Sequence, residues 1–321
     1  MEQLVFNEEL AYHRAPIGSH FFAETMAGPT LMRVGTSEQK KEYLPRILAG
    51  EITFCLGYTE PGAGSDLASL QTRALAKGDD YVINGQKMFI TLAQHAHYCL
   101  LAARTDTDAP KHRGISLFII DMKTPGITVR PTSTIGDMAV NDLFLDDVRV
   151  PKDALVGERN NGWYQLAMAL DYERSMIGTA AGNQRLIEEL IEYVKEAGSS
   201  GASDGGDQLI KDEIAELVVE NEVLRMMCYR IAWMYTKGQH PSYESSMSLL
   251  FSSDLLRRTA KTGMRVLGHY GELGQDSKLA VARARMERTY LSCLSIGVGG
   301  GTNEIQKNIV AMRGLGLPRQ Q

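Results

Sequence analysis

The sequence predicts an α+β protein made of a partial set of amino-terminal helices, a middle antiparallel β-domain and a carboxy-terminal helical bundle. Apolar residues have helical spacing at the start of the chain, alternate in the middle and return to helical spacing afterwards. Gly, Pro and Asp residues bound the alternating segments, which is typical of short strands joined by turns. We therefore expect three domains, over residues 1–50, 51–155 and 156–321.

The first part should be helical, and its clearest signal is a capping box. Thr36 and Gln39 have the Thr-x-x-Gln spacing in which each side chain bonds the other residue's backbone N–H at the start of a helix. The segment that follows places four apolar residues on one helical face. These residues are Tyr43, Leu44, Ile47 and Leu48.

The middle part should consist of strands. LQTRALAKGDDYVINGQKMFIT alternates, with turns expected at Gly78–Asp79 and at Asn84–Gly85. The Asn-Gly pair is a favoured two-residue hairpin turn. Four more strands follow in HYCLLAART, GISLFIIDM, GITVRPT and NDLFLDDVRVP. Short strands joined in this way indicate an antiparallel domain or a barrel.

The last part should be a helical bundle. Its first long helix should begin near Gly162, pass Glu192 and end at the flexible segment Ser199–Gly206. The helices that follow have the lengths and apolar stripes of a bundle. We expect them over 207–238, 242–268, 277–296 and 302–314, the last with Thr302 at its N-cap.

The composition narrows the range of partners and locations. The chain has 44% hydrophobic and 23% charged residues and a net charge of −5, which argues against a surface for nucleic acid or for anionic membranes. No apolar run reaches the roughly 20 residues of a membrane-spanning helix, and the start MEQLVFNEEL lacks the features of a signal peptide. The four cysteines are far apart and the histidines show no metal spacing. We expect a cytoplasmic protein with reduced thiols and no metal.

The segment TEPGAGSD (residues 59–66) is the strongest candidate for a binding turn. Gly62 and Gly64 allow backbone conformations that are closed to other residues. A turn of this kind can direct several backbone N–H groups at one ligand, with hydroxyl donors from Thr59 and Ser65. An ordinary surface turn is the alternative, because Gly, Pro, Ser and Asp are common in turns of every kind.

TEPGAGSD, the later INGQKMFIT (83–91) and the ending GTNEIQKNIVAMRGLGLPR (301–319) together resemble the acyl-CoA dehydrogenase family of flavoproteins. The resemblance implies FAD as cofactor, with Phe89 packed on the flavin ring and Thr91 bonded near its N5 atom. Usual members carry more helices before this point, so an incomplete amino-terminal domain is expected. The implied FAD contacts are Leu56, Thr59, Gly64, Ser65, Phe89, Thr91, Gly301 and Thr302, and Ser65 is also an implied substrate contact.

The resemblance also implies a reaction, the α,β-dehydrogenation of an acyl-CoA thioester to the trans-2-enoyl-CoA in fatty-acid or side-chain β-oxidation. The family's usual base, in a Glu-Gly-Thr motif, is replaced here by Gly300. Some branches use a Leu-x-x-Glu-Arg motif instead, which makes Glu173 the expected catalytic base and Arg174 a substrate-positioning residue. Independently, helical spacing puts Glu173 on an apolar face, where burial should raise its pKa. A structural salt bridge to Arg185 or another cation is the alternative.

Two further departures from the family concern the FAD of a neighbouring subunit. The Arg-x-x-Phe-Gly motif is missing from Ser199–Glu222, and the Gln-x-Leu-Gly-Gly motif reads Arg265–His269. This pattern resembles actinobacterial-type and heterotetrameric branches, in which one chain has lost half of the cofactor site. The implied partners are therefore an acyl-CoA substrate, electron-transfer flavoprotein as oxidant, and either a second copy of the chain or a related chain in a heterotetramer.

Two other functions remain open at this point. One is a flavin monooxygenase or oxidase on the same scaffold, although such enzymes usually replace the carboxylate base. The other is a non-catalytic subunit of a heterotetrameric dehydrogenase, which the altered adenosine-end motif favours. Fold alone cannot choose among them, because one scaffold hosts several chemistries.

Overall fold

The computed structural model describes residues 1–136, 140–167, 170, 180–199 and 208–318. The chain divides into two compact units. The β unit comprises Pro16–Thr134 and Met138–Glu173, and the helical unit comprises Met1–Ala15, Ile135–Asp137 and Arg174–Gln321. The predicted α+β fold class is confirmed, because both the sheet and the helical bundle are present.

The β unit is built on one sheet that has eight strands in the described residues. Along the sheet the order is β6-β7-β3-β2-β4-β5-β8, and β1 pairs with β4. Most pairs are antiparallel as expected, but β1–β4 and β2–β4 are parallel. The strands are β1 (Phe54–Gly57), β2 (Arg73–Lys77), β3 (Asp80–Thr91), β4 (Tyr98–Arg104), β5 (Ile115–Asp121), β6 (Ile127–Thr132), β7 (Val140–Pro151) and β8 (Leu155–Val156).

Helices pack against this sheet through one of its two apolar clusters. That cluster joins Met26 and Leu31 of the helices to Phe54 and Leu100 of the strands, all fully buried. The second cluster is made of strand residues such as Ile83 and Phe118. The helices of the β unit are α2 (His20–Phe22), a π-helical turn (Ala23–Ala27), α3 (Gly28–Val34) and α4 (Ser37–Leu48).

The start of α4 confirms the capping box. The Thr36 hydroxyl accepts from Gln39 N at 3.2 Å, and Gln39 Oε1 accepts from Thr36 N at 3.1 Å. The predicted apolar stripe is wrong at its end, because Leu48 is 89% exposed whereas Ile47 is 5% exposed. Leu48 is the last residue of α4, so its side chain passes beyond the packed surface of the helix.

One of the two predicted turns between strands is correct. Gly78 and Asp79 connect β2 to β3, and Gly78 has φ +64°. The turn predicted at Asn84–Gly85 is wrong, because β3 runs straight through both residues. They form a bulge opposite β7, and a Cβ on Gly85 would lie only 2.7 Å from Thr72 Cα. Gly85 is therefore required for close strand approach rather than for a turn.

The helical unit contains α1 (Glu2–Tyr12), α5 (Ala180–Ser199), α6 (Gln208–Thr236), α7 (Tyr243–Leu267), α8 (Arg285–Ser292) and α9 (Asn303–Ile309). Helix α1 packs in this bundle, where Arg14 just after it binds Glu189 and the Tyr12 hydroxyl donates to Glu188 at 2.6 Å. The helix predicted over 277–296 is shorter than expected, since three residues with positive φ, Ala282 to Ala284, precede α8. Residues 200–206 of the predicted flexible segment lie outside the described residues, and Ser199 is the last residue of α5.

Several local expectations can be compared with the structure. The four cysteines are free and buried, and burial raises the pKa of Cys228 and of Cys293 to about 11. Within the described ranges, no cluster of three His, Cys, Asp or Glu side chains is arranged to hold a metal ion. No helix in that part of the chain is both long enough and apolar enough to cross a membrane.

The capping box provides a direct test of the α4 boundary. Thr36→Ala should lower the free energy of unfolding by about 1 kcal/mol, because Gln39 N loses its acceptor. Thr36→Ser keeps the hydroxyl and should stay close to the unchanged protein. Urea unfolding monitored by circular dichroism measures both variants, and equal losses in the two would contradict the role of the cap.

Candidate functional site

The TEPGAGSD segment forms a tight turn directly after β1. Glu60 N donates to Ala63 O and Ala63 N donates to Glu60 O, both at 3.1 Å. Neither Gly62 nor Gly64 has positive φ, so the expectation that they supply unusual backbone conformations is wrong. A Cβ added to either glycine would meet no atom within 4 Å. The glycines instead leave the backbone of the turn open to an approaching molecule.

The second segment, at the end of β3, presents an exposed aromatic ring. Phe89 is 59% exposed and has φ +58°, and Leu92 just beyond the strand has φ +57°. Left-handed backbone is costly for such residues and is concentrated at binding and catalytic sites. Thr91 is half-buried and pairs with Val140 of β7. Phe89 therefore offers a flat apolar surface held in a strained conformation.

A buried ion pair joins the two segments. Lys87 is fully buried, and its Nζ donates to Glu60 Oε1 at 2.8 Å and to Tyr58 O at 3.1 Å. The same carboxylate accepts from Gln71 N at 2.5 Å and from Thr72 N at 2.9 Å. Both charges are thus paired and hydrogen-bonded, which burial requires.

The pair shifts the ionisation of both partners. Burial acts to raise the pKa of Glu60, but the Lys87 ammonium and the hydrogen bonds outweigh it and leave that pKa below its ordinary value. Burial lowers the pKa of Lys87, and the charge of Glu60 opposes this only in part. Each charge therefore favours the charged form of the other.

Six of the predicted cofactor residues lie in the β unit. Met88 N donates to Thr59 O at 2.9 Å, which brings the two segments together beside Phe89 and Thr91. Leu56 is half-buried on β1 and packs against the first apolar cluster. Gly64 and Ser65 are exposed on the turn.

Gly301 and Thr302 lie in the helical unit at the start of α9. Thr302 caps this helix by accepting from Ile305 N at 3.3 Å, as expected. The buried Gln306 side chain donates to Gly300 O and to Gly301 O at 3.0 Å each. The turn before α9 is therefore held by a side chain that follows it.

The predicted catalytic residue Glu173 and the substrate residue Arg174 lie outside the described residues. Arg265, in the altered adenosine-end motif, is described. Its guanidinium donates to both carboxylate oxygens of Glu213, at 2.7 and 2.9 Å. Both of these bonds come from Nη1 of Arg265.

Glu60 and Lys87 have no role predicted from the sequence, although both belong to the two motifs. The one feature of the sequence that could have indicated a role is that each is a charged residue in a segment that is otherwise apolar or turn-forming. The two are 27 positions apart, so the pairing depends on the sheet that aligns them.

The features of the β unit fit a planar aromatic cofactor. Phe89 supplies a surface for stacking, and the open backbone at Gly62 and Gly64 lets a molecule approach N–H groups directly. Thr59, Ser65 and Thr91 add hydroxyls that can bond the polar edge of such a ring. Six of the eight predicted flavin contacts are therefore on the β unit, and the other two, Gly301 and Thr302, are on the helical unit.

Comparison with known proteins identifies the class. Sequence models of the amino-terminal, middle and C-terminal domains of acyl-CoA dehydrogenase match residues 1–51, 55–148 and 160–315. The fold and these matches define a flavin-dependent oxidoreductase. The chain belongs to the acyl-CoA dehydrogenase family, and the predicted resemblance is confirmed. FAD is the cofactor of this family and of this chain.

The chain is similar to three named proteins of this kind. Acyl-CoA dehydrogenase FadE26 of Mycobacterium tuberculosis is 39% identical, over 99% of this chain and 81% of that protein. The structure of the Tcur3481-Tcur3483 steroid ACAD matches with a TM-score of 0.93 and 35% identity, over 99% of this chain and 82% of that chain. The ChsE4-ChsE5 complex from Mycobacterium tuberculosis matches with a TM-score of 0.90 and 37% identity, over 100% and 83%.

The lowered pKa of Glu60 predicts an acid-sensitive contribution to stability. A depressed pKa gives stability that is complete above the ordinary value of about 4.3 and is lost as pH falls through the folded-state value. Glu60→Gln should therefore cost about 3 kcal/mol at pH 7, and less as the pH falls below about 4.

Urea unfolding at pH 7 and at pH 3.5 tests this prediction. Asp79→Asn is the matched control, because Asp79 is fully exposed and pairs with Lys152 at 2.9 Å on the surface. A cost of Glu60→Gln that is the same at both pH values would show that the carboxylate charge contributes nothing.

Proposed function

We propose that this chain catalyses the α,β-dehydrogenation of an acyl-CoA thioester to the trans-2-enoyl-CoA. The observation that carries the proposal is the exposed, strained Phe89 beside the open turn at Gly62 and Gly64, in a chain of the acyl-CoA dehydrogenase family. A steroid side-chain thioester is the favoured substrate class. Its support is the similarity to a protein named as a steroid acyl-CoA dehydrogenase.

The roles of the residues follow from the reaction. Bound FAD supplies the acceptor for the hydride that leaves the β-carbon. Glu173 takes the α-proton, so that two hydrogens leave the substrate and a C=C bond forms. Arg174 follows Glu173 in the sequence and is proposed to position the substrate. Phe89 and Thr91 would hold the plane of the cofactor, and Ser65 would contact both cofactor and substrate.

Replacing the proposed base is the direct test of catalysis. Glu173→Gln keeps the shape of the side chain and removes the base, so reduction of the flavin by substrate should slow at least about 100-fold. Anaerobic stopped-flow absorbance with a steroid side-chain acyl-CoA measures the rate. Glu192→Gln, an exposed substitution farther along the same predicted helix, is the control.

Three outcomes would count against this assignment. Reduction at the normal rate in Glu173→Gln would assign the base to another residue. A flavin that no acyl-CoA bleaches without oxygen would favour the monooxygenase or oxidase reading. A purified complex in which only the partner chain carries a reducible flavin would favour a non-catalytic subunit.

We further propose that the native assembly pairs this chain with a related dehydrogenase chain. The missing Arg-x-x-Phe-Gly motif leaves the adenosine end of FAD short of partners in an assembly of this chain alone. The similar ChsE4-ChsE5 structure is a complex of two different chains. Electron-transfer flavoprotein is the proposed oxidant of the reduced cofactor.

Helix α6 offers a surface for such an assembly. One face of the helix is buried in the bundle. Six large apolar residues of the helix are exposed, and four of these six carry the proposed surface. Their spacing of four, three and seven places them on one helical stripe. They are Val219 (64% exposed), Val223 (47%), Met226 (51%) and Trp233 (51%).

Co-expression tests the assembly. With a dehydrogenase chain encoded beside it, this chain should form a stable complex with more bound FAD than the chain alone. Met226→Glu places a charge on the stripe and should reduce complex formation at least about tenfold, as expected for a buried unpaired charge. Lys211→Glu, on a polar part of α6, is the control. Full flavin occupancy and turnover in the isolated homo-oligomer would overturn the proposal.

A further inference from the structure

Lys87 forms a buried ion pair with Glu60, and it lies immediately before the backbone irregularity at which Phe89 is exposed. The side chains of the two ions are 0% and 5% exposed. Because removing charges from water is costly, a buried pair seldom adds net stability over apolar residues of similar size. Such pairs can instead fix one conformation among several, since any other arrangement leaves a buried charge unpaired.

The conformation that the ion pair would fix is a β-bulge in β3. The β3–β7 ladder shifts between Lys87 and Ile90, so that Met88 and Phe89 lie opposite Asp142 alone. A bulge bends the strand and redirects side chains, and bulges are common next to active sites. Here it turns the Phe89 ring outward with φ +58°.

The bulge is held on both sides by bonds that the regular ladder lacks. On one side Lys87 Nζ reaches the segment after β1, and Met88 N donates to Thr59 O at 2.9 Å. On the other side the buried Asn141 side chain donates to Ile90 O at 2.9 Å. Removing Lys87 would leave the bond from Met88 N to Thr59 O but would remove the charged contact with the segment after β1.

We propose that Lys87 is a positioning residue for the flavin. Its ion pair with Glu60 holds the bulge, and the bulge holds the Phe89 ring in the orientation that stacks on the cofactor. This inference rests on the proposed flavin site at Phe89. Lys87 itself touches neither cofactor nor substrate in this scheme, and it acts through residues 88 and 89.

The test removes both charges together, so that no unpaired buried ion remains. Lys87→Met/Glu60→Gln should leave the midpoint of thermal unfolding near that of the unchanged protein. FAD titrated into the apoprotein should bind at least about tenfold more weakly, with loss of the quenching of flavin fluorescence by an aromatic ring. Phe89→Ala should give the same two changes. Lys152→Met breaks the exposed pair with Asp79 and should leave FAD binding unchanged.

Hydrogen exchange in the FAD-free protein separates this inference from the proposed function. The amide of Met88 should exchange at least about tenfold faster in the double variant, because its bond to Thr59 is no longer held in place. If Phe89→Ala leaves FAD binding and quenching unchanged, the proposed flavin site fails, whatever exchange shows. If Phe89→Ala weakens FAD binding but the double variant binds FAD normally, with quenching intact, the positioning role of Lys87 is overturned.

Discussion

The buried contact between Lys87 and Glu60 is the constraint on which the rest of the β unit depends. Two charges that are both removed from water are tolerated only when each is fully paired. Here one carboxylate accepts from Lys87 Nζ and from the backbone N–H groups of Gln71 and Thr72. The bonds tie three segments of chain to one point. A change of register in β3 would leave a buried ion unpaired, so the pair selects one alignment of the strand.

This constraint also explains how an exposed aromatic ring can exist in a strained conformation. The left-handed backbone conformation at Phe89 costs free energy, which interactions elsewhere in the protein must offset. The surrounding bonds of Lys87, Met88 and Asn141 determine the backbone on either side of it. Strain of this kind persists where the neighbouring structure over-determines it. The β unit thus presents an exposed aromatic ring from backbone that buried hydrogen bonds hold on both sides.

The sequence predicted what depends on local preference. The capping box at Thr36 and the turn at Gly78 follow from side chains and dihedral angles within four residues, and both are present. The turn predicted at Asn84–Gly85 does not form, because Asn84 bonds a residue that is distant in the sequence. Asn84 bonds Asp147 of β7 through its side chain, at 3.0 and 2.9 Å, and this holds the pair within a strand. The ion pair could not be predicted for the same reason, since its members meet only across the folded sheet.

The role of Arg265, in the altered adenosine-end motif, likewise depends on the residue that it contacts in the fold. Arg265 is bound by Glu213, with the two side chains 48% and 36% exposed. A surface pair of this kind contributes only about 0–1 kcal/mol, and phosphate oxygens accept from a guanidinium at least as well as a carboxylate does. Glu213 is therefore a weak competitor and does not by itself prevent Arg265 from binding a phosphate. The absent Arg-x-x-Phe-Gly motif cannot be recovered by any such exchange, because no side chain of that kind stands at that place in the sequence. The missing motif, and not Arg265, is therefore the main support for a related partner chain.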